Sequence, residues 1–375
     1  MTFSPSILRA LPRILLAFCL GCVGILASAA DDSQPVWRSK SVAQWADVLK
    51  QKDSAARTPS IREQWYAAYA LGQYGPDAVS AVPVMLERLE RDAGKDDDVR
   101  ACILYSLGLI GAPETFPAVL EAFGSPYPII QRTAAGVLAR FPEQIAKNPE
   151  IIRSMNAILE ERAETQFPLA ANCAVTLWAI GQKETVSTWL SASLNSDRKN
   201  DFTRNFEIYQ ALSVFHQIMA AAFSDSSPSS ADVFSAEESS DFARRLTVLV
   251  EESSDLDVVL SACEALVSLG SFSVEPVREA FGKSANPRLL FILAQTDSDS
   301  EETRALLLKA LADAGNEIPL RTAAARGLQF LPAAGRAEAV SVLVALINDE
   351  ATPASLSDEA RFLLKKLQPT TSESN

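Results

Sequence analysis

Hydrophobic positions along this chain recur every three or four residues, in short runs bounded by glycine, proline or acidic residues. Val99, Ile103, Leu107 and Ile110 form one run, and Leu320, Ala324, Leu328 and Leu331 form another. That spacing lays an apolar stripe along one side of an α-helix. One leucine of the stripe serves as a marker. It appears as Leu71 in "LGQYG", Leu107 in "LGLIG", Leu138 in "LARFP" and Leu177 in "LWAIG". Weaker copies follow at Leu212 ("LSVFH"), Leu266 ("LVSLG"), Leu328 ("LQFLP") and Leu367 ("LQP"). The first four intervals are 36, 31, 39 and 35 residues; then come 54 and 62, and a final 39. The two long intervals point to an insertion and to a degenerate unit around "NPRLLFILAQ". Self-similarity at this period is the signature of a repeat architecture.

Each unit reads as two helices. The helix ending at the marker leucine is preceded by polar stretches such as "DDDVR" (96–100) and "SDLDVV" (254–259), where Asp or Ser caps the first turn and complements the helix dipole. It ends at Gly75, Gly111, Pro142, Gly181, Gly270 or Pro332. A second amphipathic helix follows, as in "AVSAVPVMLERLERD" or "AEAVSVLVALINDE". Neither helix can bury its apolar stripe alone, so neighbouring units must stack. About nine helical pairs are expected, the first joining 41–51 to 61–74 and the last joining 335–348 to 356–368.

A helical pair at this period resembles the HEAT repeat, in the form called the phycobilisome-lyase HEAT-like repeat. "DDDVRACILYSLGLIG" and "PLRTAAARGLQFL" carry the likeness through Val99, Arg100, Leu107 and Gly108, and through Leu320, Arg321, Ala324 and Leu328. Ile103 stands where the family usually has Ala, and Gln329 where it usually has Gly. The resemblance implies an all-α fold, a right-handed α-α superhelix. It also implies that the marker helices line a concave face, with positions two and six before the marker pointing away from the core. Trp65, Tyr69 and Tyr105 occupy such positions at the N-terminal end, and Arg326, Arg361 and Lys365 at the C-terminal end. These six are the candidate partner contacts. The architecture serves many tasks, so it implies no single function.

Composition changes the picture at the N-terminus. "MTFSPSILRALPRILLAFCLGCVGILASAADDSQ" runs from Arg9 and Arg13 through an uncharged apolar stretch to Ala27, Ser28, Ala29 and Ala30. Basic, apolar, then small residues is the layout of a secretory signal peptide, with cleavage expected after Ala29 or Ala30. The apolar stretch is short of the roughly 20 residues that span a membrane. Residues 1–30 therefore read as a signal peptide, 31–223 as N-terminal repeats and 224–241 as a mobile insertion rich in Ser, Asp and Pro. Residues 242–368 read as C-terminal repeats and 369–375 as a disordered tail. The expected location is a bacterial periplasm. Removing Arg9 and Arg13 leaves 32 basic against 47 acidic residues, a net charge of −15. Such a chain, with no Lys/Arg block, argues against nucleic-acid binding. Cys102, Cys173 and Cys263 form an odd, scattered set, which is no disulfide framework.

Candidate chemistry is sparse. The chain has no H-E-x-x-H, G-x-S-x-G or Gly-rich phosphate loop, and its one histidine, His216, lies in the apolar run "ALSVFHQIMAAAF". HEAT-like hydroxylases hold iron with His-Glu steps, and none occurs here. The acidic clusters "KDDDVR" and "TDSDSEET" read as helix starts rather than calcium loops. The sequence thus points to an exported scaffold that binds a protein or peptide through its concave face, without catalysis, cofactor or metal. A small-molecule-binding or lyase-type enzyme using the groove, or a structural module of an envelope assembly, stands as the alternative.

Overall fold

The computed structural model describes residues 36–50, 59–91, 96–224 and 233–367. The expected signal peptide (1–30), the tail (369–375) and residues 225–232 of the expected insertion lie outside the described residues. Among the described residues the fold is all-helical, and no helix is long and apolar enough to cross a membrane. The chain forms two compact units, Met1–Ala157 and Ile158–Asn375.

In the first unit α1 (Val42–Lys50) pairs with α2 (Ile61–Tyr74), α3 (Val82–Arg91) precedes α4 (Asp97–Ile110), and α5 (Phe116–Phe123) pairs with α6 (Pro128–Leu138). A short α7 (Pro142–Ala146) and α8 (Pro149–Glu161) follow. The second unit continues with α9 (Phe167–Ala179), α10 (Lys183–Leu194), α11 (Asp201–Ser224), α12 (Ala236–Glu252) and α13 (Leu256–Leu269). It ends with α14 (Ser271–Ser284), α15 (Pro287–Thr296), α16 (Glu301–Ala312), α17 (Ile318–Gly327), α18 (Ala333–Asn348) and α19 (Ala354–Leu367). The marker helices α2, α4 and α6 pack in series in the first unit; α9, α11, α13, α15, α17 and α19 do so in the second. Among the described residues each is preceded along the chain by a companion helix, nine such successions in all, and the fold is an α-solenoid.

Local chemistry fixes the helix ends. Ser60 and Glu63 form a reciprocal capping box at the start of α2, and Ser235 and Glu238 form another at α12. The Asp255 carboxylate accepts from the backbone N–H groups of Asp257 and Val258 at α13, as its place before the helix predicts. Gly111 closes α4 in the left-handed region (φ 70°), a conformation that side chains other than glycine adopt only at a cost. The stretch expected as an insertion, 224–241, is helical at both of its described ends: Ser224 closes α11, and α12 begins at Ala236.

The marker leucines form the spine of the core. Leu71, Leu107, Leu138, Leu177, Leu212, Leu266 and Leu328 are all fully buried. The degenerate unit supplies Leu293 from α15, also fully buried. Beside them the backbones come very close. A methyl group on Gly72 would lie 2.6 Å from Ser106 Oγ and 2.8 Å from Ser106 Cβ, across the α2–α4 contact. One on Gly108 would lie 2.8 Å from Val137 Cγ1, across α4–α6, and one on Gly327 only 2.6 Å from Leu307 Cδ2. Only a residue without a β-carbon lets these helices meet at this distance.

A direct test compares two glycines within helices. Gly72→Ala is expected to lower unfolding stability by about 1–3 kcal/mol through overpacking, despite alanine's helix preference of roughly 1 kcal/mol. Gly282→Ala, in α14 where an added methyl meets nothing within 4 Å, is expected to be neutral or slightly stabilising. Urea unfolding of the two variants checks both, and equal effects would contradict the close-packing account.

Candidate partner-binding site

The sequence places three aromatics on the marker helices of the first unit. Trp65 and Tyr69, four residues apart on α2, share a helix face and stack with centroids 5.6 Å apart and planes within 5°. The array continues inward, since Tyr66 lies 6.0 Å from Tyr69 and 5.5 Å from Trp45 of α1. Tyr105 lies on α4, which packs against α2. All three candidate rings are half-buried, so they serve packing as well as surface. Burial raises the pKa of the Tyr69 hydroxyl, and it pushes the neighbouring Cys102 thiol up to about 12. That thiol donates to the Trp65 carbonyl at 3.4 Å.

The C-terminal candidates end differently. Arg326 makes a two-pronged pair with Glu359, at 3.0 and 2.9 Å, which ties α17 to α19. Arg361 pairs with Asp358 at 2.7 Å, and Lys365 is exposed one turn on. The expected basic end is therefore largely neutralised by carboxylates of α19 itself. Bidentate geometry favours the Arg326 pair, which holds the Glu359 carboxyl below its usual pKa.

A further face in the second unit is not among the sequence candidates. Phe202, 79% exposed, stacks on Phe206 at 6.3 Å, and Phe206 contacts Phe167 of α9 at 6.2 Å. The Arg198 guanidinium covers Phe167, 4.8 Å from its centroid. Tyr209 continues the same side of α11. Its hydroxyl is pushed up to about 12 by burial and then by the carboxylates of Asp257 and Glu264 on α13. Leu256 and Leu260 stand on α13 at 58% and 50% exposure. The i, i+4, i+7 spacing of Phe202, Phe206 and Tyr209 is the sequence signal for this face, in a unit that lacks the Leu-Gly marker.

One buried carboxylate of the second unit is fully engaged by its neighbours. Glu207, 1% exposed, accepts from Arg162 at 2.8 Å and Arg198 at 2.8 Å, and from the Ser196 hydroxyl at 2.6 Å. Both carboxylate oxygens are thus engaged, and the network pins the connector between α10 and α11. Beside it lies a cleft of about 380 Å³ lined by Leu194, Ser196, Arg204, Ile208, Arg245 and Glu252, among others. Arg204 is paired with Asp201 at 2.8 Å and Arg245 with Asp241 at 2.6 Å.

Cys102 and Cys173 are core residues, and Cys263 is half-buried. Burial raises the pKa of all three thiols, Cys263 to about 11, which keeps them protonated near neutrality. The acidic cluster before α16 works as a helix start: Ser300 accepts from the Thr303 N–H, and Asp297 pairs with Arg278 at 2.6 Å. Among the described residues no three His, Cys, Asp or Glu side chains group to hold a metal. His216 Nε2 lies 3.1 Å from both the carbonyl and the hydroxyl of Ser261, joining α11 to α13. Burial lowers its pKa, against the Glu264 charge and the Ser261 carbonyl, which raise it.

That depressed pKa has a defined sign. The unfolded chain takes up the His216 proton near pH 6.5, whereas the folded chain resists it until lower pH. Unfolding stability should therefore fall as pH drops below about 6.5, with a slope of at most about 1.4 kcal/mol per pH unit. His216 is the only histidine, so His216→Gln should abolish this component between pH 7.5 and 5.5. A variant with the same pH slope as the parent would contradict the assignment.

Residues 52–139 match the family model for HEAT repeats. No curated protein matches the chain. Among solved structures it resembles the Kap95:Nup1 complex at 13% identity and a TM-score of 0.47, covering 94% of this chain and 47% of that one. It also resembles human deoxyhypusine hydroxylase in complex with glycerol, at 15% identity and a TM-score of 0.30, covering 87% and 95%. A third is the complex of CpcE and CpcF of phycocyanin lyase from Nostoc sp. PCC7120, at 16% identity and a TM-score of 0.28, covering 92% and 100%. The chain spans about half the length of the Kap95 chain, and none of these likenesses carries an activity or a partner across. Residues 52–139 thus carry HEAT repeats, and the same fully buried leucine recurs beyond them at Leu177, Leu212, Leu266 and Leu328.

Proposed function

We propose that this protein is an exported, non-catalytic scaffold that binds a protein or peptide partner through the outward face of its marker helices. One observation carries the reading. Large apolar side chains exposed to solvent concentrate on or directly after marker helices: Ile61, Phe202, Leu256, Leu260, Ile318, Phe330 and Phe362. Among the described residues the companion helices expose Val248 and Val344, with Val79 in the turn leading into α3, and Tyr127 stands at the start of the marker helix α6. Scattered apolar residues need no explanation, but clustering on one layer of a repeat marks an interaction surface. The cleft beside Glu207 has the size of a small-ligand site, yet its Arg204 and Arg245 already hold carboxylates of their own helices. That arrangement favours the scaffold over the enzyme reading. Export rests on the basic-apolar-small pattern of residues 1–30.

Site-specific photo-cross-linking in the native host tests the binding reading. Probes at Leu260 and Phe362 are expected to capture a reproducible protein, and probes at Val248 and Val344 to capture none. No reproducible capture, or capture from the companion helices alone, would overturn it. N-terminal sequencing of the protein from its host is expected to begin at Ala30 or Asp31, and retention of residues 1–29 would contradict export by a cleaved signal.

A further inference from the structure

From the α11–α13 surface we infer that the partner docks there through an apolar segment carrying lysine or arginine. The inference rests on the scaffold reading above and names the chemistry of its partner. Phe202 and Phe206 offer a stacked aromatic platform whose outer ring is almost wholly in solvent. Across the helix contact, Leu256 and Leu260 are four residues apart, so they share one side of α13. Asp257 and Glu264, seven residues apart on α13, stand on the side that reaches Tyr209 of α11. Both carboxylates are exposed, and among the described residues neither is held in an ion pair.

The surface therefore combines apolar contact area with unneutralised negative charge. An apolar segment alone would leave both carboxylates partly desolvated without a counter-charge, which is costly. A lysine or arginine answers both demands, its aliphatic stem lying on the leucines while its cation meets Asp257 or Glu264. Charge complementarity also sorts the other occupants. Nucleic acid and anionic lipid are repelled by the same carboxylates. A second copy of this chain brings a net charge of −13 to an already acidic surface. Aromatic rings with exposed faces add a cation–π contribution for an arginine or lysine stacked on Phe202.

The test uses the full protein and three synthetic peptides of twelve residues, with fluorescence anisotropy as the readout. The first is a leucine–lysine amphipathic sequence, the second replaces each lysine with glutamate, and the third replaces each leucine with serine. Binding is expected for the first and at least tenfold weaker binding for the other two. Phe202→Ser/Leu260→Ser should weaken the first peptide at least tenfold. Asp257→Asn/Glu264→Gln should weaken it severalfold and flatten its dependence on salt. These side chains are on the surface, and circular dichroism confirms that each variant remains folded. Equal binding to parent and variants, or equal binding of the lysine and glutamate peptides, would overturn the inference. The two readings fail separately. A partner captured at Phe362 but unaffected by Phe202→Ser/Leu260→Ser would remove this docking site and leave the scaffold standing, whereas no captured partner would remove the scaffold.

Discussion

Everything in this fold depends on how closely consecutive marker helices approach. Gly72 lies against Ser106 and Gly108 against Val137, at separations that leave no room for a β-carbon. The leucine before each of these glycines then drops into the layer between the two rows of helices and is fully buried. A Leu-Gly pair is thus one device with two parts, a knob for the core and a notch for the neighbour. Dense packing of this kind makes interiors sensitive to a single methylene, and it leaves the opposite side of the marker helices free to vary. Function can be placed on that side without disturbing the stack, which is why a rigid repeat can carry an exposed Phe202 or Phe362.

Where the Leu-Gly device is missing, other interactions take its place. The marker in α11 is followed by "SVFH", and α11 runs for 24 residues. Here Phe215, Phe234 and Phe242 cluster with centroids 4.9–5.7 Å apart. Glu207 anchors the other end of the helix through Arg162 and Arg198. A buried carboxylate is expensive to desolvate and holds its place only when fully bonded, and Glu207 meets that condition on both oxygens. The N-terminal half of α11 is consequently fixed in space while its outer side exposes aromatic rings. A rigid aromatic presented to solvent loses little conformational freedom on binding, the property that suits an anchor.

The repeat was readable because one buried leucine recurs near a constant period. Its faint unit was not, because Leu289, Leu290, Ile292 and Leu293 of α15 are all buried, and no single position stands out as the marker. The pairs Trp65–Tyr69 and Phe202–Phe206 have the same i, i+4 spacing and the same stacked geometry. The first precedes a clear Leu-Gly at Leu71 and Gly72, whereas the second is followed by Leu212 and Ser213. The ion pair between Arg326 and Glu359 joins residues 33 apart, so its neutralising effect appears only once α17 and α19 are side by side. The start of α12 was present in the sequence as a Ser-x-x-Glu capping box at Ser235 and Glu238. The Ser and Asp content around it outweighed that signal.

The central claim is that a close-packed stack presents its binding surface on the marker helices. Amide hydrogen exchange on the protein, alone and with the partner captured by cross-linking, measures this most directly. The account predicts added protection in residues 201–213 and 256–264, with the companion helices α12 and α18 unchanged. Protection confined to α12 and α18, or to the cleft around Arg244 and Arg245, would contradict it.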